Sequence, residues 1–316
     1  MKNFSGYKKG VNLGGWLSQC VHTKEHYDSF ISREDIEKIS SWGADHVRLP
    51  IDYELLEAEG GIPDDSGFAY IDKAIGWCRE SGLNIVIDLH KTAGYSFDKG
   101  EQESGFFEDP GFQERFYKLW ERIAGRYGDS GEGVCFELLN EVTDKAFCEA
   151  WNRIAKSCIQ RIRKIAPDTV ILVGGYWNNS PAAVKDLDPP YDDRVVYNCH
   201  CYDPLKFTHQ GAHWVDDMAL DFRIRYSECD ISSEYFVNVF REACETAEKN
   251  GTVLYCGEYG VIENAVTEDV IEWYKAIHTA FEQLGMCRAT WSYKKMNFGL
   301  SDERLKDSID ELIKYL

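Results

Sequence analysis

Residues 134–142 read Val-Cys-Phe-Glu-Leu-Leu-Asn-Glu-Val, a mainly apolar run that turns polar toward its end, at Asn140 and Glu141. Residues 84–90, Asn-Ile-Val-Ile-Asp-Leu-His, have the same form. Strands covered on both faces have this composition because neither face meets water. Short β-branched runs alternate with longer helical patterns along the whole chain, the signature of repeated βα units and a parallel sheet. Eight strands are expected, at Gly10 to Leu17, His46 to Ile51, Asn84 to His90, Val134 to Val142, Val170 to Gly174, Val195 to Tyr202, Val253 to Tyr259 and Arg288 to Tyr293. Eight such units in 316 residues suit an α/β fold, a (β/α)8 TIM barrel, in a single domain over residues 1–316.

Between the strands lie helical patterns. Ser32 to Trp42 opens with Ser32 followed three residues later by Asp35, which resembles a capping box. Pro110 to Arg126 opens on a proline suited to a first turn. No Ser/Gly linker or low-complexity tract divides the chain. The long interval after the sixth strand, Lys206 to Ser232, has little periodicity and is expected to form an enlarged loop region, a lid or cleft wall over the strand ends.

A net charge of −19 argues against nucleic acid as a partner, since a phosphate binder needs a basic face. No run of eighteen uncharged apolar residues exists, so no membrane association is expected. Met1 to Gly10 lacks the apolar core of a signal peptide, which implies a cytoplasmic protein or one whose leader has been removed. Cys78, Cys135, Cys199, Cys256 and Cys287 lie in or beside apolar runs and read as buried reduced thiols. A monomer acting on a neutral substrate, without a cofactor or metal, is the expectation.

A closed parallel barrel builds its site at the carboxyl ends of its strands, so polar residues ending apolar strands are the ones that matter. Here they are Arg48, His90, Asn140 with Glu141, His200 with Tyr202, and Glu258, while the eighth strand adds Trp291. Glu141 and Glu258 fall on strands four and seven, which face each other across an eight-stranded barrel. Cleaving a glycosidic bond needs such a pair, one carboxyl to protonate the leaving oxygen and one to attack the anomeric carbon. Glu141 must then hold its proton while Glu258 is ionised, so their surroundings must differ. Arg48 is placed to keep Glu258 charged, and that charge would favour the protonated form of Glu141. Tyr202 is a donor for Glu258, and Asn140, His90 and His200 suit sugar hydroxyls or orientation of the acid.

These strings resemble glycoside hydrolase family 5, the cellulase family A group, over nearly the whole chain. The Gly-Val-Asn-Leu-Gly-Gly-Trp opening, Arg-Leu-Pro at Arg48, Asp-Leu-His at His90, Leu-Asn-Glu at Glu141, His-Cys-Tyr at His200, Gly-Glu-Tyr-Gly at Glu258 and Trp-Ser-Tyr-Lys at Trp291 all fall in family order. The resemblance implies Glu141 as acid/base, Glu258 as nucleophile, and Arg48, His90, Asn140, His200, Tyr202 and Trp291 as the supporting shell. Within the family the chain is most similar to the cellulase C type of endoglucanase, which implies endo-acting hydrolysis of β-1,4 and mixed β-1,3/1,4-glucans with retention. β-Mannanase, xyloglucanase and exo-β-1,3-glucanase share that shell and stay open as alternatives. Two departures bear on linkage preference: position 91 is Lys where a second histidine is expected, and Lys206 to Ser232 is short for that branch.

A lone strand-end Glu is usually a structural hydrogen-bonder, and it is the ordered set that points to catalysis. Trp42, Trp77, Trp120, Trp151 and Trp273 sit in helical patterns and read as packing. Trp177, Asn178, Trp214, Phe207, Tyr95, Phe97 and Lys91 lie in or beside strand-end loops and are the candidates for binding substrate. A metal hydrolase drawing on His22, His26, His90 and His200 would need a His-X-His pair ending the first strand, which instead ends Trp16-Leu17-Ser18-Gln19. A silent carbohydrate-binding barrel would have lost a carboxylate, and both are present.

Overall fold

The computed structural model describes residues 4–98, 100, 101 and 103–316. Eight parallel strands form its centre: β1 (Lys9–Asn12), β2 (His46–Asp52), β3 (Asn84–Lys91), β4 (Val134–Glu137), β5 (Ile171–Gly174), β6 (Val195–Cys201), β7 (Leu254–Tyr259) and β8 (Cys287–Thr290). Each pairs with its chain neighbours, and β8 pairs with β1 to close a (β/α)8 barrel. Six longer helices surround it: α1 (Arg33–Ser41), α2 (Phe68–Glu80), α3 (Pro110–Tyr127), α4 (Cys148–Arg163), α5 (Ser233–Lys249) and α6 (Thr267–Leu284). Ser32 and Asp35 make the reciprocal capping box of α1, and Pro110 opens α3.

Two features depart from the sequence reading. The regular ladders of β1, β4 and β8 stop at Asn12, Glu137 and Thr290, short of Leu17, Val142 and Tyr293. Single backbone bonds continue, from Leu138 N–H to the Leu172 carbonyl at 3.2 Å and from Asn140 N–H to the Leu89 carbonyl at 3.0 Å. After β5 there is no long helix, only turns at Tyr176–Asn179 and Pro181–Asp186. Trp177, Asn178 and Asn179 have φ of 51°, 56° and 55°, a left-handed backbone that cannot propagate a right-handed helix. The loop after β6 is enlarged as expected, with a short helix at Leu205–Thr208 and a turn at Tyr226–Glu228.

Side chains alternate along each strand, so the barrel interior is filled in layers. The lower layer is apolar: Val86, Cys135, Leu172, Val196, Tyr255 and Ala289 form one cluster, plugged by Phe4 and Tyr7, whose rings stack 4.3 Å apart. Two residues further along the strands the interior becomes polar, with Asp88, Glu137, Asn198 and Arg48 all buried. Outside the sheet, Trp120, Trp151 and Trp273 are buried among the helices. Their indole N–H groups donate to the carbonyls of Leu138, Gly174 and Asp203 at 3.0, 2.8 and 2.9 Å. These carbonyls lie where strands end, so the helices supply the bonds that the ladders no longer make. No helix is long and apolar enough to cross a membrane among the described residues.

Because the plug lies at the end of the barrel opposite the strand termini, it is expected to serve stability alone. Phe4→Ala should lower unfolding free energy in urea by about 3 kcal/mol, with catalytic turnover of the folded protein unchanged.

Candidate active site

The arrangement begins with Arg48, fully buried on β2. Its Nε and Nη2 donate to the two oxygens of Glu137 at 2.7 and 2.8 Å, while Nη1 donates to Glu258 Oε1 at 2.7 Å. Asn12 Oδ1 and Asn140 Oδ1 accept from the same guanidinium at 3.0 and 2.9 Å, and Asp88 Oδ2 lies 3.0 Å away. A guanidinium has five N–H donors in a rigid fork, and here the whole fork is engaged. The second Glu258 oxygen accepts from the Tyr202 hydroxyl at 2.8 Å. Both oxygens of this carboxylate are therefore held by donors, which fixes its orientation.

Glu141 stands in a different setting. Burial is the chief cause that raises its pKa, opposed by a hydrogen bond from Asn178 Nδ2 to Oε2 at 2.8 Å. The sequence reading gave the Glu258 charge as that cause; desolvation takes its place. Its Oε1 lies 2.9 Å from His200 Nδ1. Burial pushes His200 down to about 4, so the ring is neutral. Asn179 Nδ2, 3.4 Å from Nε2, leaves Nδ1 as the nitrogen that donates toward Glu141. Oxygens of Glu141 and Glu258 and a nitrogen of His200 all lie within 4.8 Å of one another.

Around this pair the walls are aromatic and polar. Trp291 lies parallel to His90 with ring centroids 5.6 Å apart, and His90 Nδ1 is 2.6 Å from Asp88 Oδ2. Burial pushes His90 down to about 4, so it too is neutral and donates to Asp88. Two glycines of the quoted strings make room for Trp291. A Cβ on Gly14 would fall 2.7 Å from the indole, and one on Gly260 would fall 2.3 Å from the Trp291 carbonyl. Asn140 Nδ2 is buried and has no protein partner, an open donor beside Glu141.

The structure brings Arg48, His90, Asn140, Glu141, Asn178, His200, Tyr202, Glu258 and Trp291 together. Trp177 and Trp214 are exposed in the loops after β5 and β6. Phe207, expected at a subsite, is instead fully buried in the core and meets Tyr226 edge-on, because its short helix turns that face inward. Tyr95 is likewise buried rather than a platform: its hydroxyl donates to the Glu141 carbonyl at 2.7 Å and accepts from Thr143 N–H at 2.9 Å, fixing the loop of the acid. Lys91 is nearly buried and joined to Glu101 and Asp52.

Asn12, Asp88, Glu137 and Asn198 belong to the site and were not assigned from the sequence. Their signal was a charged or amide residue inside an apolar strand, which a buried position tolerates only when paired. Glu137 is completed by Asn198 Nδ2 at 2.7 Å. With three carboxylates around one arginine, Asp88 is pushed up to about 7, first by burial and then by Asp52 and Glu141, against the pull of Arg48. A further triad, His22, Asp52 and Glu54, has the spacing of metal ligands. Its cationic charge is already supplied by Lys91, 3.8 Å from Asp52 Oδ2, and by His22, raised to about 10 chiefly by its hydrogen bond with Asp52.

Comparison with known proteins gives a consistent picture. A family model described as Cellulase (glycosyl hydrolase family 5) matches residues 6–297. Cellodextrinase A of Ruminococcus flavefaciens is 53% identical over 90% of this chain and 84% of its own length. Endoglucanase C of Acetivibrio thermocellus is 37% identical over 98% of both chains. Among solved structures, endoglucanase Cel5A of Thermotoga maritima superposes with a TM-score of 0.85 at 26% identity, covering 99% of each chain.

Removing Glu137 would leave the buried Arg48 Nε and Asn198 Nδ2 without their acceptor and take one carboxylate from the Arg48 cluster. Glu137→Ala should therefore cost about 3–5 kcal/mol of stability in urea unfolding, and a loss within error would show that Arg48 finds its stabilisation elsewhere.

Proposed function

The chain belongs to glycosyl hydrolase family 5, the cellulases, and from that premise we propose that it hydrolyses β-1,4 and mixed β-1,3/1,4-glucosidic bonds with retention of configuration. It is a glycoside hydrolase of the endoglucanase and cellodextrinase kind, acting on β-glucans. The observation that carries the mechanism is the approach of the Glu141 and Glu258 carboxyl oxygens to within 4.8 Å. Retaining glycosidases hold their two carboxyls about 5–5.5 Å apart, without room for a water between them.

In the first step a Glu258 oxygen bonds to the anomeric carbon while Glu141 gives its proton to the glycosidic oxygen, and the bond to the aglycone breaks. In the second, Glu141, now a carboxylate, takes a proton from water as that water attacks the anomeric carbon and releases Glu258. Arg48 and Tyr202 support the first role by holding both Glu258 oxygens and aiming the carboxylate. Burial supports the second by raising the Glu141 pKa, which favours the protonated form that an acid needs. Asn140 Nδ2 is placed for a hydroxyl of the reacting sugar and Trp291 for its face, while Trp177, Asn178 and Trp214 serve the leaving side. Every step of the proposed reaction is carried by side chains of this barrel.

Glu258→Gln should abolish turnover of barley β-glucan, and Glu141→Gln should lower kcat by about 10²–10⁴; a silent binding barrel would show no hydrolysis to lose. Proton NMR of the first-formed reducing ends should show the β anomer, whereas initial α anomer would exclude double displacement. The alkaline limb of the pH profile belongs to Glu141, since activity is lost as that group deprotonates. The hydrogen bond from Asn178 lowers the Glu141 pKa, so Asn178→Ala should move this limb to higher pH. Rates on carboxymethylcellulose, laminarin and mannan will separate the proposed glucan preference from that of a mannanase or β-1,3-glucanase.

A further inference from the structure

Beyond Arg48, the strand β2 ends in a second polar cluster. Asp52, its last residue, is fully buried, and the segment after β1 runs alongside it. Leu17 pairs with Ile51, Asp52 N–H donates to the Leu17 carbonyl at 3.0 Å, and Gln19 N–H donates to Asp52 Oδ2 at 2.9 Å. His22 then turns its Nε2 toward the same Oδ2, at 3.3 Å. Its Nδ1 lies 2.6 Å from the Tyr27 hydroxyl, and the Tyr27 carbonyl accepts from the Trp16 indole at 2.9 Å. The imidazole is thus held from behind, with Nε2 facing the carboxylate. Metal-binding histidines are oriented in this way, through the nitrogen that does not ligate.

Glu54 completes the group: one ligand atom each of His22, Asp52 and Glu54 lies within 4.8 Å of the other two. A separate observation points to a ligand. Among the described residues no hydrogen-bond partner reaches Asp52 Oδ1, although it is buried, and the same holds for Ser18 Oγ and Gln19 Oε1 on the adjoining segment. Buried oxygens without a donor are costly, and a cation satisfies them. Gln19 also has a φ of 51°, a left-handed backbone that a residue with a side chain adopts at a cost. Charge agrees with this reading. The carboxylates of Asp52, Glu54 and Glu101 face one permanent cation, Lys91, which is paired with Glu101 and stands 3.8 Å from Asp52 Oδ2. The charge that His22 adds is a proton on its ring, and a divalent cation in place of that proton brings the group to neutrality.

We propose that His22, Asp52 and Glu54 bind one divalent cation of the Mn2+ kind, which fastens the segment after β1 to the end of β2. One imidazole among oxygen ligands suits such a borderline cation. The His22 side chain is 27% exposed, so an ion reaches it from solvent. The role is structural: the fastened segment carries Gly14, against which the Trp291 indole packs, and the ion's ligands do not include the two reacting carboxyls. This departs from the metal-free chain expected from the sequence, and it stands independently of the roles given to Glu141 and Glu258.

The test is calorimetric titration of the full chain with MnCl2 after treatment with EDTA and desalting, with free Mn2+ followed in parallel by electron paramagnetic resonance. The wild type should bind one ion at this site and show a higher Tm in saturating Mn2+. Glu54→Gln and His22→Gln should each weaken that binding by about tenfold or more and remove the rise in Tm. Both side chains lie at the surface, and the metal-free Tm of each variant reports whether it has folded, so either one suffices should the other fail. A wild type that binds no Mn2+, or binding unchanged in both variants, would overturn the proposal. Binding lost only in Glu258→Gln would also overturn it, by placing the ion among Glu141, His200 and Glu258, which share the same spacing.

Discussion

One buried guanidinium organises this barrel. Arg48 lies in the interior between an apolar plug and the open rim, and it gathers carboxylates from β3, β4 and β7 together with Asn12 of β1 and Asn140 beyond β4. Removing a cation and its partners from water is expensive, and close pairing with full hydrogen bonding is what makes the placement tolerable. The same pairing has a chemical consequence. Glu258 accepts a hydrogen bond from Arg48 directly, whereas Glu141 is bonded to Asn178 and His200 and has its pKa raised chiefly by burial, against the pull of Asn178, His90 and Arg48. Two glutamates of one barrel are thereby given different surroundings, the condition for assigning one to attack and the other to proton transfer.

The rim above this layer is held by bonds that regular strands do not supply. Where the ladders stop, indoles from α3, α4 and α6 satisfy the carbonyls of Leu138, Gly174 and Asp203. Tyr95 fastens the Glu141 backbone in the same manner. Each polar tie fixes a loop bearing a site residue to the packed core, so geometry at the two carboxyls derives from packing many residues away. Gly14 and Gly260 complete the scheme by leaving space that only the Trp291 segment fills.

Much of this was legible in the sequence for one reason: a parallel barrel exposes chemistry at the carboxyl ends of its strands, and Arg48, His90, Asn140, Glu141, His200, Tyr202 and Glu258 stand there in order. Loop aromatics were harder. Phe207 and Trp214 lie seven residues apart in the same aperiodic stretch, yet one is core and the other exposed, a distinction made by tertiary folding and not by local pattern. Lys91 read as a substrate contact because its partner Glu101 is chosen by the path of a loop. The missing helix after β5 had a local cue in the Trp177-Asn-Asn-Ser-Pro181 run, too short and too rich in turn formers to sustain one.

The central claim is that Glu258, held by Arg48, forms the bond to the anomeric carbon. The most direct measurement is trapping with a 2-deoxy-2-fluoro-cellobioside bearing a good leaving group, followed by peptide mass spectrometry. The account predicts a single glycosylated residue, Glu258. A label on Glu141 or another carboxylate, or a reaction that releases the leaving group without leaving any sugar on the protein, would contradict it.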